Sequence, residues 1–576
     1  MSTEKALTGY PSIDKPWLKY YSEEAIHDPL PDSSIFEYLW ENNKTHPTDI
    51  AIFYLGKKIT YRELFEKIDQ AAIGFQTLNV RPGDIVTVAL PCIPEAIYVV
   101  YALNKIGAVA NMIHPLAGEQ ELLNYLNEVE STVAVLFDGT YRLLENSLHR
   151  TSVEKAIIIS AGESLPFGLK QLYSLKNKKP DLAGKNHYLY WNSFLKAGEG
   201  KTLAPFKRDP RELAVISHTG GTTGEPKGVM ISDRNANAVV WQILNTIENE
   251  RQQRMLVQLP PFINYSLVNG AFEPLAGGVT VYLVPDYQPK KIGYYLKKYK
   301  PNHINSIPQY LEAMLQDPTI QNMDLSFLLT LVSGGDGMSA ETEERLNALL
   351  LSRGAKRVAK GYGMTEVVSS ATFTFDRCNE AGSIGIPLVK VNCKIVDPDT
   401  NQELTYGEVG EVCFAGDTIM LGYYKNQQAT DELIEVDNHG IRWIHTGDLG
   451  YITNDGLIFL SGRMKRIIAI TGKDGVPTKL FPDRIEKAAY KHSSVRLCCA
   501  IGVPDTARNY YPKLYVVLKD ALRNQEIVSE ELLALCQKEL PEYMIPEEIE
   551  YCDDLPRTER GKIDYRALEE DAKRKV

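Results

Sequence analysis

The chain has 576 residues, more than one typical domain holds, and this length predicts two to four folding units. Hydrophobic residues at 44% and charged residues at 24% are ordinary for a globular enzyme, and a formal net charge of -11 argues against a nucleic-acid binder, which carries a basic surplus. The start, up to Asp32, is polar and mixed in charge without the basic-then-apolar order of a secretory signal, so a cytoplasmic protein is expected.

In chain order, "DIAIFYL" and "IVTVAL" read as strands, and "TYRELFEKIDQAAIGFQTL" between them has helical spacing with Thr60 as its N-cap. The apolar stretch "EAIYVVYALNKIGAVANMIHPLAG" is interrupted by Asn104, Lys105 and Asn111. It predicts a buried helix followed by a strand, not a membrane span. "TVAVLFD", "KAIIIS", "ELAVIS" and "RMLVQLP" continue the strand series, with helices such as "EQELLNYLNEVE" between some of them. Strands alternating with helices imply a parallel, doubly wound α/β sheet covered on both faces.

From about Asn392 the texture changes. "NCKIVDPD", "GEVGEVCFAG", "LGYYKN" and "GIRWIHTGDLGYITNDGLIFLSGR" are short strands between Gly, Asn and Asp turns, which predicts a small antiparallel β unit. After Arg463, helical and strand patterns return in "RIEKAAYKH", "RLCCAIGV", "KLYVVLKD" and "EELLALCQKEL", a last domain-sized stretch. Of the eight cysteines only Cys498 and Cys499 are adjacent, no CxxC pair occurs, and no Cys/His cluster has zinc-like spacing. Buried, reduced thiols are the expectation.

The stretch "SHTGGTTGEPKGVMIS", Ser217 to Ser232, follows an apolar run and concentrates glycine and threonine around Lys227. It is not the G-x-x-x-x-G-K-[ST] phosphate loop: Pro226 stands where that motif has Gly, and Gly228 where it has Ser or Thr. Glycines still let backbone N–H groups approach an anion, and threonine hydroxyls and a lysine add donors. Alone, such a loop reads either as a phosphate cradle or as a linker. Downstream, "KGYGMTE" brings together an aromatic ring, a hydroxyl and a carboxylate suited to a base and to Mg²⁺. "HTGDLG" places Asp448 in a glycine turn, "SGRMK" supplies Arg463 and Lys465, and "LPRTERGKIDYRAL" carries Lys562. Each has a plain structural reading as well, as a turn cap or a solvated charge.

In this order and at these separations the motifs resemble those of the adenylate-forming superfamily of acyl- and aryl-CoA synthetases, adenylation domains and luciferase-type enzymes. The resemblance runs from "ITYREL" at Ile59 to "GKIDYRAL" ending at Leu568, with "AGSIGIPL" and "IGVPD" in support. It implies two doubly wound α/β subdomains plus a small β-barrel-like part in residues 1–462, the adenylation domain. It also implies a mobile α+β C-terminal domain in residues 463–576. The implied reaction is attack of a carboxylate on the α-phosphate of Mg-ATP, then transfer of the acyl group to a thiol. Coenzyme A is the expected acceptor, and a separate carrier protein's phosphopantetheine is the alternative.

By the same resemblance Thr219, Gly220, Gly221, Thr222, Thr223, Gly224 and Lys227 hold the β- and γ-phosphates. Tyr362 stacks on adenine, Thr365 contacts the α-phosphate, and Glu366 is the Mg²⁺-associated carboxylate. Asp448 and Arg463 contact ribose, Lys465 is the hinge, and Lys562 bridges the acid and the α-phosphate. Asn264, Tyr265, Ser266, Gly334, Gly335 and Val367 are expected to border the acyl pocket. Asp336 reads equally as an adenine contact or a turn residue.

Two departures stand out. Where relatives carry P-x-F-H-x-x-G, this chain reads "PPFINYSL", with Ile263 for His and Ser266 for Gly. The spacing between Gly472 and Pro482 is also stretched, where the C-terminal domain lines the thiol channel in the family. Ile263 and Asn264 provide no anion for an amino group, so the expected acid lacks an α-amino group. A non-catalytic adenylate sensor is a competing reading, opposed by the joint presence of Glu366 and Lys562.

Overall fold

The computed structural model describes residues 7–182, 184–219, 226–247, 249–466, 468–471, 477–505, 509–520, 522–557 and 563–575, without the side chains of 465, 469, 471 and 477–479. Among these residues the strands form sheets of nine, eight, five, three and two members.

The eight-stranded sheet contains the parallel run expected from the sequence. Ile85–Ala89, Val109–Met112, Val133–Phe137, Lys155–Ile159 and Tyr188–Tyr190 are joined in parallel register, and Leu213–His218 lies beside Val109–Met112. Gly228–Ser232 then turns back antiparallel to Leu213–His218. The nine-stranded sheet takes Ile50–Tyr54, Arg254–Val257, Thr280–Leu283, His303–Ser306, Thr330–Ser333 and Ala359–Tyr362. "DIAIFYL" and "RMLVQLP" therefore belong to a second sheet, which periodicity alone does not distinguish from the first.

Local signals hold where they are strong. The helix Tyr61–Thr77 starts at Thr60, whose side chain accepts from Glu63 N while the Glu63 carboxylate accepts from Thr60 N, a reciprocal capping box. The apolar stretch after Ile93 forms the helix Pro94–Lys105, buried from Pro94 to Asn104, followed by the strand Val109–Met112. Its polar interruptions are internal anchors: Asn104 accepts from Phe36 N and donates to Asp233, and Asn111 donates to Thr87 Oγ1. Among the described residues no helix is long and apolar enough to cross a membrane.

The small antiparallel unit comprises Asn392–Val396, Gly410–Ala415, Ile434–Val436, Arg442–Ile452 and Ile458–Arg463. One expected member is elsewhere. Within "LGYYKN", Gly422–Tyr423 pairs antiparallel with Gly228–Ser232 and forms the edge of the eight-stranded sheet. The reason is tertiary: Leu421 N donates to Met230 O and Tyr424 N to Gly228 O, so this segment seals an edge that the first half of the chain leaves open.

Residues beyond 470 build apolar clusters of their own, one around Leu480, Ile485, Val495 and Leu532 and another around Ile501, Val517 and Leu568. They join the sheet of Val495–Asp505, Asn509–Leu518 and Glu548–Tyr551 to the helices Pro482–Ala489, Gln525–Glu539 and Tyr565–Lys575. This part touches the rest of the chain through polar contacts, including Lys487 Nζ to Leu460 O at 2.6 Å and Lys519 Nζ to Glu341 at 2.6 Å. Seven of the eight cysteines are buried and all are free, as the spacing predicts.

Candidate active site

The strand Ala359–Tyr362 ends in a tight turn whose shape depends on glycine. A Cβ on Gly363 would lie 1.7 Å from the Ser369 carbonyl oxygen, so no other residue fits there without moving the backbone. The turn Thr365–Val367 follows, and Val368 and Ser369 take positive φ values of 53° and 90°. This geometry sends Tyr362 and Glu366 to different partners.

The Tyr362 hydroxyl donates to Asp448 Oδ2 at 2.5 Å, and the Asp448 Oδ1 atom lies 3.1 Å from Arg463 Nε. Asp448 and Arg463 are directly opposite each other on the antiparallel pair Arg442–Ile452 and Ile458–Arg463. Burial, then the Asp448 carboxylate, pushes the Tyr362 phenol well above its ordinary range, so it remains a donor. The Asp448 charge also raises Arg463, against desolvation. Tyr362, Asp448 and Arg463, predicted separately as nucleoside contacts, are one connected group.

Glu366 is buried, 7% exposed, and its Oε1 accepts from the Tyr423 hydroxyl at 2.7 Å. Burial raises its carboxyl above the usual range, while Tyr423 and the charges of Lys227 and Arg463 pull it down. The Lys227 ammonium sits 4.8 Å from the Tyr423 ring centroid, a cation–π contact. Thr219 N donates to Lys227 O at 3.0 Å, which closes the base of the glycine-rich stretch. Tyr423 thus holds both the carboxylate and the lysine, and sequence reasoning missed it. The only signal was its place in "LGYYKN". Gly220, Gly221, Thr222, Thr223, Gly224, Gly472 and Lys562 lie outside the described residues, as does the side chain of Lys465.

A second missed group supports the Asp448 turn. Glu411 Oε2 pairs with His445 Nδ1 at 2.8 Å, and Glu411 Oε1 accepts from Gly447 N at 2.8 Å. Glu435 lies 3.2 Å from His445 Nε2, and the buried Cys413 Sγ lies 3.5 Å from His445 Nδ1. The Glu411 hydrogen bond raises the His445 pKa, opposed by desolvation. Asp448 N also donates to Thr446 Oγ1, so the turn is held on both sides.

Toward the expected acyl pocket, Gly334 lies against Tyr265, whose hydroxyl would be 3.2 Å from a Cβ placed there. Tyr265, Ser266, Gln258, Val257, Gly270 and Asn305 are among the residues lining a cavity of about 10 Å³. Among the described residues, the lining atoms Gln258 Oε1 and Tyr265 OH, and also Asn264 Nδ2 and Asn269 Oδ1, are buried without a hydrogen-bond partner. Ser266 Oγ instead donates to Leu259 O at 2.5 Å, and Val367 is fully buried in the main apolar core. Gly335, at φ +79°, is exposed, and Asp336 accepts from Gly337 N and from Gln309 Nε2.

Solved structures share this architecture. MatB from Rhodopseudomonas palustris with ATP bound is 22% identical with a TM-score of 0.80, over 94% of this chain and 99% of that one. The anthranilate CoA ligase AuaEII in complex with anthranoyl-AMP is 21% identical with a TM-score of 0.80, over 96% and 99%. By fold, then, the chain shares the α/β architecture of these enzymes, with a large N-terminal and a small C-terminal part. The family model described as AMP-binding enzyme matches residues 39–424, and the model described as AMP-binding enzyme C-terminal domain matches residues 484–562. The chain belongs to the AMP-binding enzyme family and is an AMP-forming ligase. A long-chain-fatty-acid–CoA ligase of Bacillus subtilis (strain 168) is 29% identical over 97% of this chain and 98% of its own length. "Probable 4-coumarate--CoA ligase 1" of Dictyostelium discoideum is 27% identical over 94% and 96%.

Proposed function

We propose that this ligase activates a carboxylic acid without an α-amino group as its acyl-adenylate, releasing pyrophosphate, and passes the acyl group to coenzyme A. The observation that carries the reading is the junction of Glu366, Tyr423 and Lys227 beside the Tyr362–Asp448–Arg463 group: a buried carboxylate and a cation next to an aromatic–carboxylate pair. Relatives at 29% and 27% identity are named for a long-chain fatty acid and for 4-coumarate, both acids lacking an amino group. Their near-equal identity leaves the choice between aliphatic and aromatic acids to the pocket.

The oxygen donors suit Mg²⁺, which prefers carboxylate and phosphate oxygens, and Glu366 is a carboxylate whose pKa burial raises while Lys227 and Arg463 lower it. Glu366 would hold the ion, which when bound neutralises charge developing on the phosphates, and the Thr365 hydroxyl would contact the α-phosphate. In this reading Lys227 and Thr219, with residues 220–224, bind the β- and γ-phosphates. Tyr362 flanks adenine while its hydroxyl keeps Asp448 turned toward the ribose, and Arg463 fixes the other carboxylate oxygen. Lys562 stabilises charge on the reacting carboxylate and α-phosphate more in the transition state than in the ground state. Residues 463–576 reorient about Lys465 between the two half-reactions, a step for which small polar contacts are better suited than a large apolar interface. The free, buried thiols support a reducing, cytoplasmic setting.

The test is pyrophosphate release with a panel of aliphatic, aromatic and amino acids, with and without coenzyme A. Release with a non-amino acid and a coenzyme A thioester by mass is expected. No release with any acid would refute the reading. Thioester formed only on an added carrier protein would replace coenzyme A as acceptor.

A further inference from the structure

The helix Phe167–Lys176 connects two parallel strands, Lys155–Ile159 and Tyr188–Tyr190. A crossover helix in such a sheet ordinarily buries its apolar face against the strands. This one buries no residue. Phe167 is 80% exposed, Leu172 59% and Leu175 79%. Its contacts with the protein are made by the other side: Tyr173 lies against Gly162, where a Cβ would be 2.6 Å from its ring, and Lys170 donates to Glu163 O at 2.9 Å. The apolar face therefore points outward while polar and aromatic anchors hold the helix down.

The charge beside this face leans positive. Between Glu163 and Asp181 the chain carries Lys170, Lys176, Lys178 and Lys179; Lys170 and Lys179 pair with Glu163 at 3.4 and 2.6 Å, and Lys176 and Lys178 form the cationic rim, within a protein of net charge -11. Arg142 joins the same edge by donating to Lys178 O. We propose that the helix Phe167–Lys176 is a docking surface for an anionic phospholipid bilayer, with Phe167, Leu172 and Leu175 entering the headgroup boundary and Lys176 and Lys178 meeting lipid phosphates. Outward apolar residues combined with a cationic rim match the chemistry of interfacial helices. A second copy of the chain fits poorly, since like faces would bring two sets of lysines together. The proposal does not depend on which acid the ligase uses.

The test is flotation of the full-length protein with vesicles of phosphatidylglycerol and phosphatidylcholine, compared with phosphatidylcholine alone, at low and high salt. Binding to the anionic vesicles is expected, weakened by salt. Phe167→Ser with Leu172→Ser and Leu175→Ser, and separately Lys176→Glu with Lys178→Glu, should each lower it about tenfold or more. Unchanged melting temperature and pyrophosphate release on a water-soluble acid would show that both variants fold. No vesicle binding by the native protein, or binding that neither variant changes, overturns the proposal. A dimer that the serine variant dissociates, without vesicle binding, overturns it in favour of self-association.

Discussion

Tyr423→Phe isolates one hydroxyl in the proposed metal and phosphate region. The ring stays, so the cation–π contact with Lys227 at 4.8 Å is retained, and the Tyr423 N–H still donates to Thr430 Oγ1 at 2.9 Å. What is lost is the 2.7 Å hydrogen bond to Glu366, a carboxylate only 7% exposed. A hydrogen bond to a charged buried group contributes about 2 kcal/mol, which corresponds to about thirtyfold in kcat/KM for Mg-ATP if Glu366 must act as the anion. The sign with pH follows from the causes of its shift. Burial already raises the Glu366 pKa and the Tyr423 hydroxyl lowers it, so removing that hydroxyl raises it further. Activity requiring the carboxylate is present above that pKa and lost as pH falls through it. The acidic limb of the kcat/KM profile should therefore move to higher pH in the variant. Pyrophosphate release measured against Mg-ATP across the pH range reads both effects. An unmoved acidic limb together with kcat/KM within about twofold of native would refute the reasoning, since the loss expected from the charged hydrogen bond is far larger.

Asp448→Asn removes the charge that faces Arg463 at 3.1 Å and should raise KM for ATP by about tenfold with a smaller change in kcat. An ATP titration with unchanged KM would count against the ribose role. Lys562→Ala should abolish adenylation yet largely spare thioester formation from a supplied acyl-adenylate, and equal loss of both half-reactions would remove that role. His445→Gln tests the support of the Asp448 turn. The folded His445 pKa lies above its ordinary 6.5, chiefly through Glu411, so its stabilising effect is present below 6.5 and fades as pH rises through the raised value. The melting-temperature difference between native and variant should accordingly be larger near pH 6 than near pH 9, and a pH-independent difference would contradict it.

The sequence by itself determined the α/β class, the capped helix at Thr60, the buried helix after Ile93 and the order of the motifs. These depend on local periodicity, capping and short-range turn chemistry, which neighbouring residues carry. Tyr362, Glu366, Asp448 and Arg463 were singled out because each lies inside a compact motif, and the roles proposed for them rest on the resemblance those motifs carry. Tertiary structure alone decided who meets whom. Tyr423 reaches Glu366 across 57 residues and Tyr362 reaches Asp448 across 86, contacts set by strand register and by the sealing of one sheet edge. Glu411 and His445, 34 apart, become partners because their strands pair. The apolar spacing of Phe167, Leu172 and Leu175 would ordinarily mark a core face, and only the anchoring of Tyr173 and Lys170 turns that face to solvent. Periodicity specifies that a face exists; the packing of the rest of the chain determines what it touches.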